Sequence, residues 1–270
     1  MFPVIKAATT PDKLIAIGTP DFTEGMAKLL ADVTPESPTL TNNLFNVMTG
    51  FLGNQNASCE LGAPRHSVRT QFYIKALSEK LREHPRFAWY LTEDTINMLF
   101  MSAPLHDIGK AGIPDFILLK PGRLKAHEFG IMKTYTTLGH AAIAHAGNAL
   151  CTSVDLLTLA KTIALSHQEW WDGSGYPYGI AGDDIPIPAR LMAVVDVYDA
   201  LISRRAYKKA LSHDKAVQIM IKERGTHFDA DMLDAFVDIQ EEFRAITLNF
   251  TDSESAPENL KDFPAQACRV

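Results

Sequence analysis

Two adjacent side chains, His106 and Asp107, could bind one metal ion together if the backbone turns between them, as at a fraying helix end. An imidazole and a carboxylate suit a first-row metal such as Fe, Mn or Zn. Lys110 follows closely and would bring a cation to a place where a phosphate could sit. A lone His-Asp pair is more often an exposed pair beside a helix end, so the metal interpretation depends on the rest of the chain.

Two further candidate ligands, His66 and Asp196, lie far from this pair in the sequence. Asp196 is the more informative, because it is a carboxylate inside the mostly apolar segment 193–201. Burying an unpaired carboxylate costs several kcal/mol, so Asp196 needs a metal ion, a cation or a set of hydrogen-bond donors. A helix cap or a salt bridge would satisfy Asp196 without a metal, and both alternatives stay open at this point.

The segment 167–177 begins with His167 and contains two glycines. Glycine lets the backbone approach a ligand closely and adopt positive φ. Tyr176 offers an aromatic face and a hydroxyl, which suit stacking on a base or binding a phosphate oxygen. Taken alone, the segment could equally be a glycine-rich surface turn with a packed tyrosine.

Amphipathic helices must position these groups, because apolar residues recur at helical spacing and no segment alternates with period two. The sequence therefore predicts an all-α fold. Apolar residues mark the buried side of a helix over 66–83, and Thr92 is a predicted N-cap for the helix that leads into His106. The other predicted helices cover residues 22–33, 40–52, 125–149, 154–167 with Ser153 as cap, 189–203, 212–225, and 230–245 with Asp229 as cap.

Composition excludes several classes of protein. The chain has 270 residues, 46% of them hydrophobic, which indicates a globular fold. A formal net charge of -6 argues against non-specific DNA binding, although a small phosphorylated ligand needs only a local basic pocket. Three cysteines without a CxxC pair indicate reduced thiols in a cytoplasmic protein. No apolar stretch is long enough to predict a membrane span, and the N-terminus lacks a signal-peptide pattern.

A series of motifs in a fixed order carries a resemblance to a known family. The motifs cover residues 66–71, 103–115, 118–122, 132–133, 172–177, 185–190, 196–201 and 203–208. Over about residues 60–245 the chain resembles the HD-GYP family, a branch of the HD metal-dependent phosphohydrolases that is often fused to response regulators. The resemblance implies an HD-type helical bundle over 58–250. Residues 1–57 are then expected to be a short helical extension and residues 251–270 a polar tail.

The resemblance also implies an activity, the hydrolysis of the bacterial messenger cyclic di-GMP at a metal centre. It assigns the first metal ion to His66, His106, Asp107 and Asp196, and a second ion to Asp107 and His167. His106, Asp107 and Lys110 are the implied catalytic residues. The implied contacts with the nucleotide are made by Lys110, Gly175, Tyr176, Pro177, Asp199, Arg205 and Lys208. From the residues alone, Arg205 and Lys208 could equally be a solvated basic helix end.

Two positions depart from the family pattern, and both belong to the second ion. Tyr135 and Gln168 stand where the family has histidine ligands. Tyr135 could bind as a phenolate if the metal removes its proton, and Gln168 offers only a neutral carbonyl oxygen, a weak ligand. We therefore expect a divalent metal, Fe or Mn, with one ion firmly bound and a second ion weak or absent.

These departures leave more than one function open. The first hypothesis is a cyclic di-GMP phosphodiesterase of slow or altered activity. The alternative is a catalytically degenerate module that senses cyclic di-GMP or docks on a partner such as a diguanylate cyclase. A weaker option is hydrolysis of a different phosphoester at a one-metal site. Family members often pair, so a homodimer is a further expectation that no motif specifies.

Overall fold

The structure, a computed structural model, describes residues 64–149, 155–203 and 210–250. These residues form helices joined by turns, and within them no strand occurs apart from one isolated bridge between Arg224 and Phe228. The all-α prediction is therefore confirmed. The helices predicted over 22–33 and 40–52, the Ser153 cap, Arg205, Lys208, the cysteines and the tail all lie outside the described residues.

The described helices are short or of moderate length. None of them combines the length and hydropathy that a membrane crossing requires. In chain order they are α1 Pro64–Leu81, α2 Glu93–Ser102, α3 Asp115–Leu118, α4 Ala126–Lys133, α5 Tyr135–Ala149, α6 Asp155–Ser166, α7 Ile187–Ile202, α8 His213–Lys222, α9 Ala230–Asp238 and α10 Gln240–Asn249.

Helix α7 is the centre of the bundle. It is buried at every position from Ile187 to Val195, and it packs against α1, α6, α8 and α9. A helix that is apolar on all sides is stable only when other helices surround it. Helix α1 buries Tyr73, Ile74 and Leu77 in the same core, and each such side chain contributes about 1.5–3 kcal/mol. The predicted apolar helix is confirmed, although it begins at Ile187 and not at residue 189.

The segment after α2 has the backbone turn that the His-Asp pair requires. Thr92 caps α2 as predicted, since its hydroxyl accepts a hydrogen bond from the Thr95 amide at 3.2 Å. Helix α2 ends at Ser102 and tightens into 3-10 turns over Ala103–Leu105 and Ile108–Gly112. His106 and Asp107 lie between these turns, so both side chains face the core.

Two of the predicted helices are broken. The one expected over 125–149 is two helices with Thr134 between them, and the one expected over 230–245 is interrupted at Ile239. The Thr134 hydroxyl donates to the Ile131 carbonyl oxygen at 2.7 Å, and such local side-chain bonds compete with the helix. The Asp229 cap is confirmed by its bond to the Asp231 amide at 3.0 Å. Helix α8 ends at Lys222, and Gly225 follows with φ +76.

Candidate metal centre

Three side chains from three separate elements converge inside the bundle. His66 comes from α1, His106 from the turn after α2, and Asp196 from α7. Each offers a ligand atom, and these atoms all lie within 4.8 Å of one another. Three protein ligands that converge from different elements are typical of a metal site with open coordination positions. We call His66, His106 and Asp196 the first cluster.

Asp107 lies beside the first cluster and faces a second histidine. One carboxylate oxygen, Oδ2, is 3.3 Å from His106 Nε2, and the other, Oδ1, is 4.0 Å from His167 Nε2. The Lys110 ammonium lies 2.5 Å from Oδ2. The sequence-based placement of His106, Asp107 and Lys110 around one point thus matches the geometry of the turn.

Two buried polar atoms, one in the first cluster and one in the adjacent Asp107, lack a partner among the described residues. His106 Nδ1 lies 2.8 Å from the Ala103 carbonyl oxygen, to which it donates, so Nε2 is the ring nitrogen left to bind a metal ion. Neither His106 Nε2 nor Asp107 Oδ1 makes a hydrogen bond with the described residues, although both atoms are buried. A buried unsatisfied polar atom costs about 1–3 kcal/mol, and a divalent cation would satisfy both atoms at once. These residues therefore fit a metal ion.

The charges of the first cluster favour a cation as well. Burial lowers the pKa of His106, but Asp107 and Asp196 outweigh burial and raise that pKa to about 10. Burial would raise the pKa of Asp196, but its contact with His106 dominates and lowers it. The two carboxylates thus stay ionised and attract positive charge, which a metal ion supplies.

Asp199 holds His66 in place by a hydrogen bond. The resemblance assigned Asp199 to the nucleotide, but this side chain is 1% exposed. Its Oδ2 accepts from His66 Nδ1 at 2.6 Å, and its Oδ1 accepts from Arg69 Nε at 2.6 Å. A carboxylate on one imidazole nitrogen fixes the tautomer and turns the other nitrogen toward the metal. Asp199 thus positions His66 together with Arg69, which sequence reasoning missed, and its contact with the nucleotide stays a prediction.

The second cluster, Tyr135, His167 and Gln168, lies on the other side of Asp107. His167 Nδ1 donates to the Ile163 carbonyl oxygen at 2.8 Å, and the Tyr135 hydroxyl lies 2.7 Å from His167 Nε2. Burial and the neighbouring His106 lower the pKa of His167 to about 4, so this imidazole is neutral. Burial and Asp107 raise the pKa of Tyr135 well above its usual value. The neutral His167 therefore accepts a hydrogen bond from the protonated Tyr135 hydroxyl at Nε2.

Gln168 reaches the first cluster as a donor. Its amide nitrogen lies 3.4 Å from Asp196 Oδ2, which is a long contact. A donating amide group cannot ligate the same metal through that nitrogen. Gln168 thus lies beside the proposed metal centre, where its side chain contacts the carboxylate of Asp196.

The loop that carries Tyr176 is held by the segment after α6. The Tyr176 amide donates to the Gln168 carbonyl oxygen at 3.0 Å. The buried Glu169 carboxylate accepts from the Tyr178 amide at 2.7 Å and from the Gly179 amide at 3.0 Å. A Cβ at Gly175 would collide with the Trp170 backbone nitrogen. The close approach predicted for Gly175 is therefore an approach to protein backbone.

Tyr176 and Phe129 form a pair of aromatic side chains that we call the aromatic wall. The Tyr176 ring lies 6.3 Å from the Phe129 ring in an edge-to-face arrangement, and Pro177 follows Tyr176 through a cis peptide bond. The Lys133 ammonium lies 5.4 Å from the Tyr176 ring and 5.2 Å from the Phe129 ring. Phe129 is 46% exposed on a helix that buries none of its residues. Phe129 was not among the predicted site residues, because an aromatic residue in a helix gives no signal of its own.

A backbone contact joins the His-Asp turn to helix α5. A Cβ at Gly109 would collide with the carbonyl oxygen of Tyr135 and with the Gly139 amide nitrogen. Only glycine fits there, so the turn and the start of α5 pack backbone against backbone. This contact places Tyr135 beside Asp107.

Comparisons with known proteins show which families and proteins this chain resembles in sequence. A family model described as an HD domain matches residues 73–232. A cyclic di-GMP phosphodiesterase from Vibrio cholerae serotype O1 is 50% identical over 194 residues, which cover 72% of this chain and 39% of the relative. A 3'3'-cGAMP-specific phosphodiesterase 2 from the same organism is 34% identical over 224 residues, which cover 83% of this chain and 39% of the relative.

Among solved structures, a similar chain is Bd1817, a HDG"Y"P protein from Bdellovibrio bacteriovorus. It has a TM-score of 0.49 and 18% sequence identity, and the match covers 87% of this chain and 74% of that one. The chain spans well under half the length of the two curated relatives from Vibrio cholerae.

Proposed function

The chain belongs to the HD-GYP branch of the HD-domain family, and we propose that it is a metal-dependent phosphodiesterase that hydrolyses cyclic di-GMP. The observation that carries this proposal is the first cluster, where ligand atoms from three elements converge and the buried His106 Nε2 has no hydrogen-bond partner among the described residues. The unpartnered Oδ1 of Asp107, beside that cluster, supports the same interpretation. The 50% identical relative that is named a cyclic di-GMP phosphodiesterase supports the substrate.

The proposed metal is divalent, Fe or Mn, with one ion held by His66, His106, Asp107 and Asp196. The second ion is weak or absent, because Tyr135 and Gln168 are not imidazoles. When bound, the ion supplies Lewis-acid stabilisation of negative charge on the phosphate oxygens. Imidazole with carboxylate suits either metal.

The other proposed residues bind and orient the nucleotide. The Lys110 ammonium, which donates to Asp107, would also donate to a phosphate oxygen. A hydrogen bond between an ammonium and a phosphate is charge-assisted and therefore strong. Tyr176 would contact a base or a phosphate, with Gly175 and Pro177 shaping its loop. Arg205 and Lys208 remain proposed phosphate ligands from the resemblance, and they lie outside the described residues.

A second candidate function is supported by the second cluster. The bond between Tyr135 and His167 uses the imidazole lone pair that a second ion would need, which favours a module that binds cyclic di-GMP with little turnover. Such a module could dock on a diguanylate cyclase or form a homodimer. The 34% identical relative named for 3'3'-cGAMP also makes that dinucleotide a candidate substrate.

Three further expectations stand as proposals from the sequence. The domain limits are 58–250, with an extension over 1–57 and a tail over 251–270. The cysteine usage favours the cytoplasm. No DNA or membrane is among the proposed partners.

The test is turnover by the full chain. Protein loaded anaerobically with Fe(II) or Mn(II) is mixed with cyclic di-GMP or with 3'3'-cGAMP, and the products are separated by chromatography. We expect hydrolysis of cyclic di-GMP that is lost in His106→Ala. Tight binding without turnover would favour the sensor, and turnover of 3'3'-cGAMP alone would change the substrate.

A further inference from the structure

We propose that the Tyr135 phenol closes the second metal position by bonding to His167, so that this centre holds a single ion. The inference rests on the proposed metal centre and concerns which group occupies its second metal position. The resemblance gives only a missing histidine at this position. The geometry gives a competing hydrogen bond, which is a different physical cause and has different consequences.

The direction of the Tyr135–His167 bond follows from the other ring nitrogen. His167 Nδ1 lies 2.8 Å from the Ile163 carbonyl oxygen, and a carbonyl oxygen can only accept. Nδ1 therefore carries the ring proton, and Nε2 must accept from the Tyr135 hydroxyl at 2.7 Å. That bond takes the single lone pair through which His167 could bind a metal ion.

Burial protects this bond from competition. Tyr135 is 3% exposed and His167 is 1% exposed, so water has little access to either group. In such surroundings a hydrogen bond is stronger than at the surface, and breaking it leaves the buried His167 Nε2 without this partner. An ion at the second position would have to displace the phenol before it could use His167.

Lys110 acts in the same direction. Its ammonium lies 2.5 Å from Asp107 Oδ2 and 5.3 Å from the centre of the Tyr135 ring. It therefore places a positive charge against the carboxylate that a second ion would have to share. Like charges this close in a partly buried site repel, so Lys110 disfavours a second cation.

Backbone packing holds Tyr135 beside the His-Asp turn. Gly109 packs directly on the Tyr135 carbonyl oxygen, so the first residue of α5 cannot retreat from the His-Asp turn. Tyr135 is consequently held within reach of His167 by main-chain contact. The bond between them is part of the packed core.

The experiment compares three explanations through the Tyr135→Phe variant, which removes one oxygen atom. If the phenol closes the site, the variant frees His167 Nε2, and affinity for a second ion rises about three- to tenfold. If the site is weak only because an imidazole is missing, affinity for the second ion is unchanged. If the phenol is itself a ligand, that affinity falls.

The measurement is Mn(II) binding to the full chain by equilibrium dialysis, with electron paramagnetic resonance to separate isolated ions from coupled pairs. The matched control is Tyr178→Phe, which removes the hydroxyl of a 68% exposed tyrosine in the neighbouring loop. Circular dichroism checks that both variants fold. We expect one isolated ion in the wild type and in the control, and coupled pairs in Tyr135→Phe at high Mn(II).

The outcomes separate this inference from the proposed function. One ion in the wild type with unchanged or lower second-ion affinity in Tyr135→Phe would overturn the closing role alone. Two ions in the wild type would overturn it as well. A wild type that binds no ion would overturn the metal centre and this inference together.

Discussion

Each of the two clusters beside Asp107 contains a fully buried histidine, yet the Nε2 atoms of these two histidines differ in their hydrogen bonding. In the first cluster, His106 Nε2 has no hydrogen-bond partner among the described residues. In the second cluster, His167 Nε2 is bonded to Tyr135. Buried polar atoms are normally satisfied. The comparison teaches that residue type and burial do not identify a metal position, whereas an unsatisfied ligand atom does.

The two histidines show the same contrast in their charge. Their rings are 5.3 Å apart in one core, and both donate Nδ1 to a backbone carbonyl. Burial lowers the pKa of both histidines. At His106 the carboxylates of Asp107 and Asp196 outweigh burial and raise the pKa to about 10. At His167 burial and the neighbouring His106 lower the pKa to about 4. The carboxylates around His106 thus favour a positive charge at that position, whereas the surroundings of His167 disfavour one.

The largest expected effect comes from the same substitution made in each cluster. His106→Ala should remove the ion and lower turnover by at least about a thousandfold, because Lewis-acid stabilisation worth several kcal/mol is lost. His167→Ala should keep one ion per chain, since its Nε2 is already used by Tyr135. Metal content and product formation are measured on both variants. Loss of the ion in His167→Ala would remove the distinction between the clusters.

The next largest effect should come from introducing histidine ligands into the second cluster. Tyr135→His together with Gln168→His should raise affinity for a second ion by about a hundredfold, since imidazoles replace a bonded phenol and a weak amide ligand. Turnover should rise with it. Metal titration of the double variant against each single variant tests this. A double variant without a second ion would mean that these positions do not face a metal.

Asp199→Asn should weaken the first cluster without touching a ligand atom. The amide cannot hold His66 and Arg69 as the carboxylate does, so affinity for the first ion should fall about tenfold or more. The matched control is Asp234→Asn, which alters an exposed carboxylate paired with Arg224. Affinities are compared well below the melting temperature of each variant. Unchanged ion affinity would show that Asp199 serves stability alone.

The smallest effect concerns the aromatic wall outside both clusters. Phe129→Ala should weaken cyclic di-GMP binding about five- to tenfold through lost contact with a base and with Tyr176, while metal content stays constant. Phe116→Ala removes another exposed phenylalanine, 71% exposed on the neighbouring helix α3, and should leave affinity unchanged. Calorimetric titration of both variants measures the difference. Equal affinities would place Phe129 outside the ligand site.

Much of the fold could be predicted, because apolar periodicity and caps are local signals. Thr92 and Asp229 cap the helices as their positions indicate. The breaks at Thr134 and Ile239 could not be predicted, since neither residue is a glycine or a proline and the local backbone geometry decides them. A window that counts apolar residues does not register a side chain bonding to a carbonyl.

For the site, the sequence could identify groups but not their partners. His66, His106 and Asp196 do converge, as the motifs implied. The direction of Asp199 and the bond between Tyr135 and His167 depend on contacts across more than thirty residues of chain. One signal was present for Arg69, which lies one helical turn after His66 and on the same face.

The contact of Gly109 with Tyr135 has a consequence for how such centres evolve. Because main chain packs on main chain there, the side chain at position 135 can change while the scaffold stays fixed. A single base change converts a tyrosine codon to a histidine codon, and the same holds for glutamine. Lineages can therefore gain or lose the capacity for a second ion by point mutation, so metal stoichiometry can drift among descendants that keep one fold.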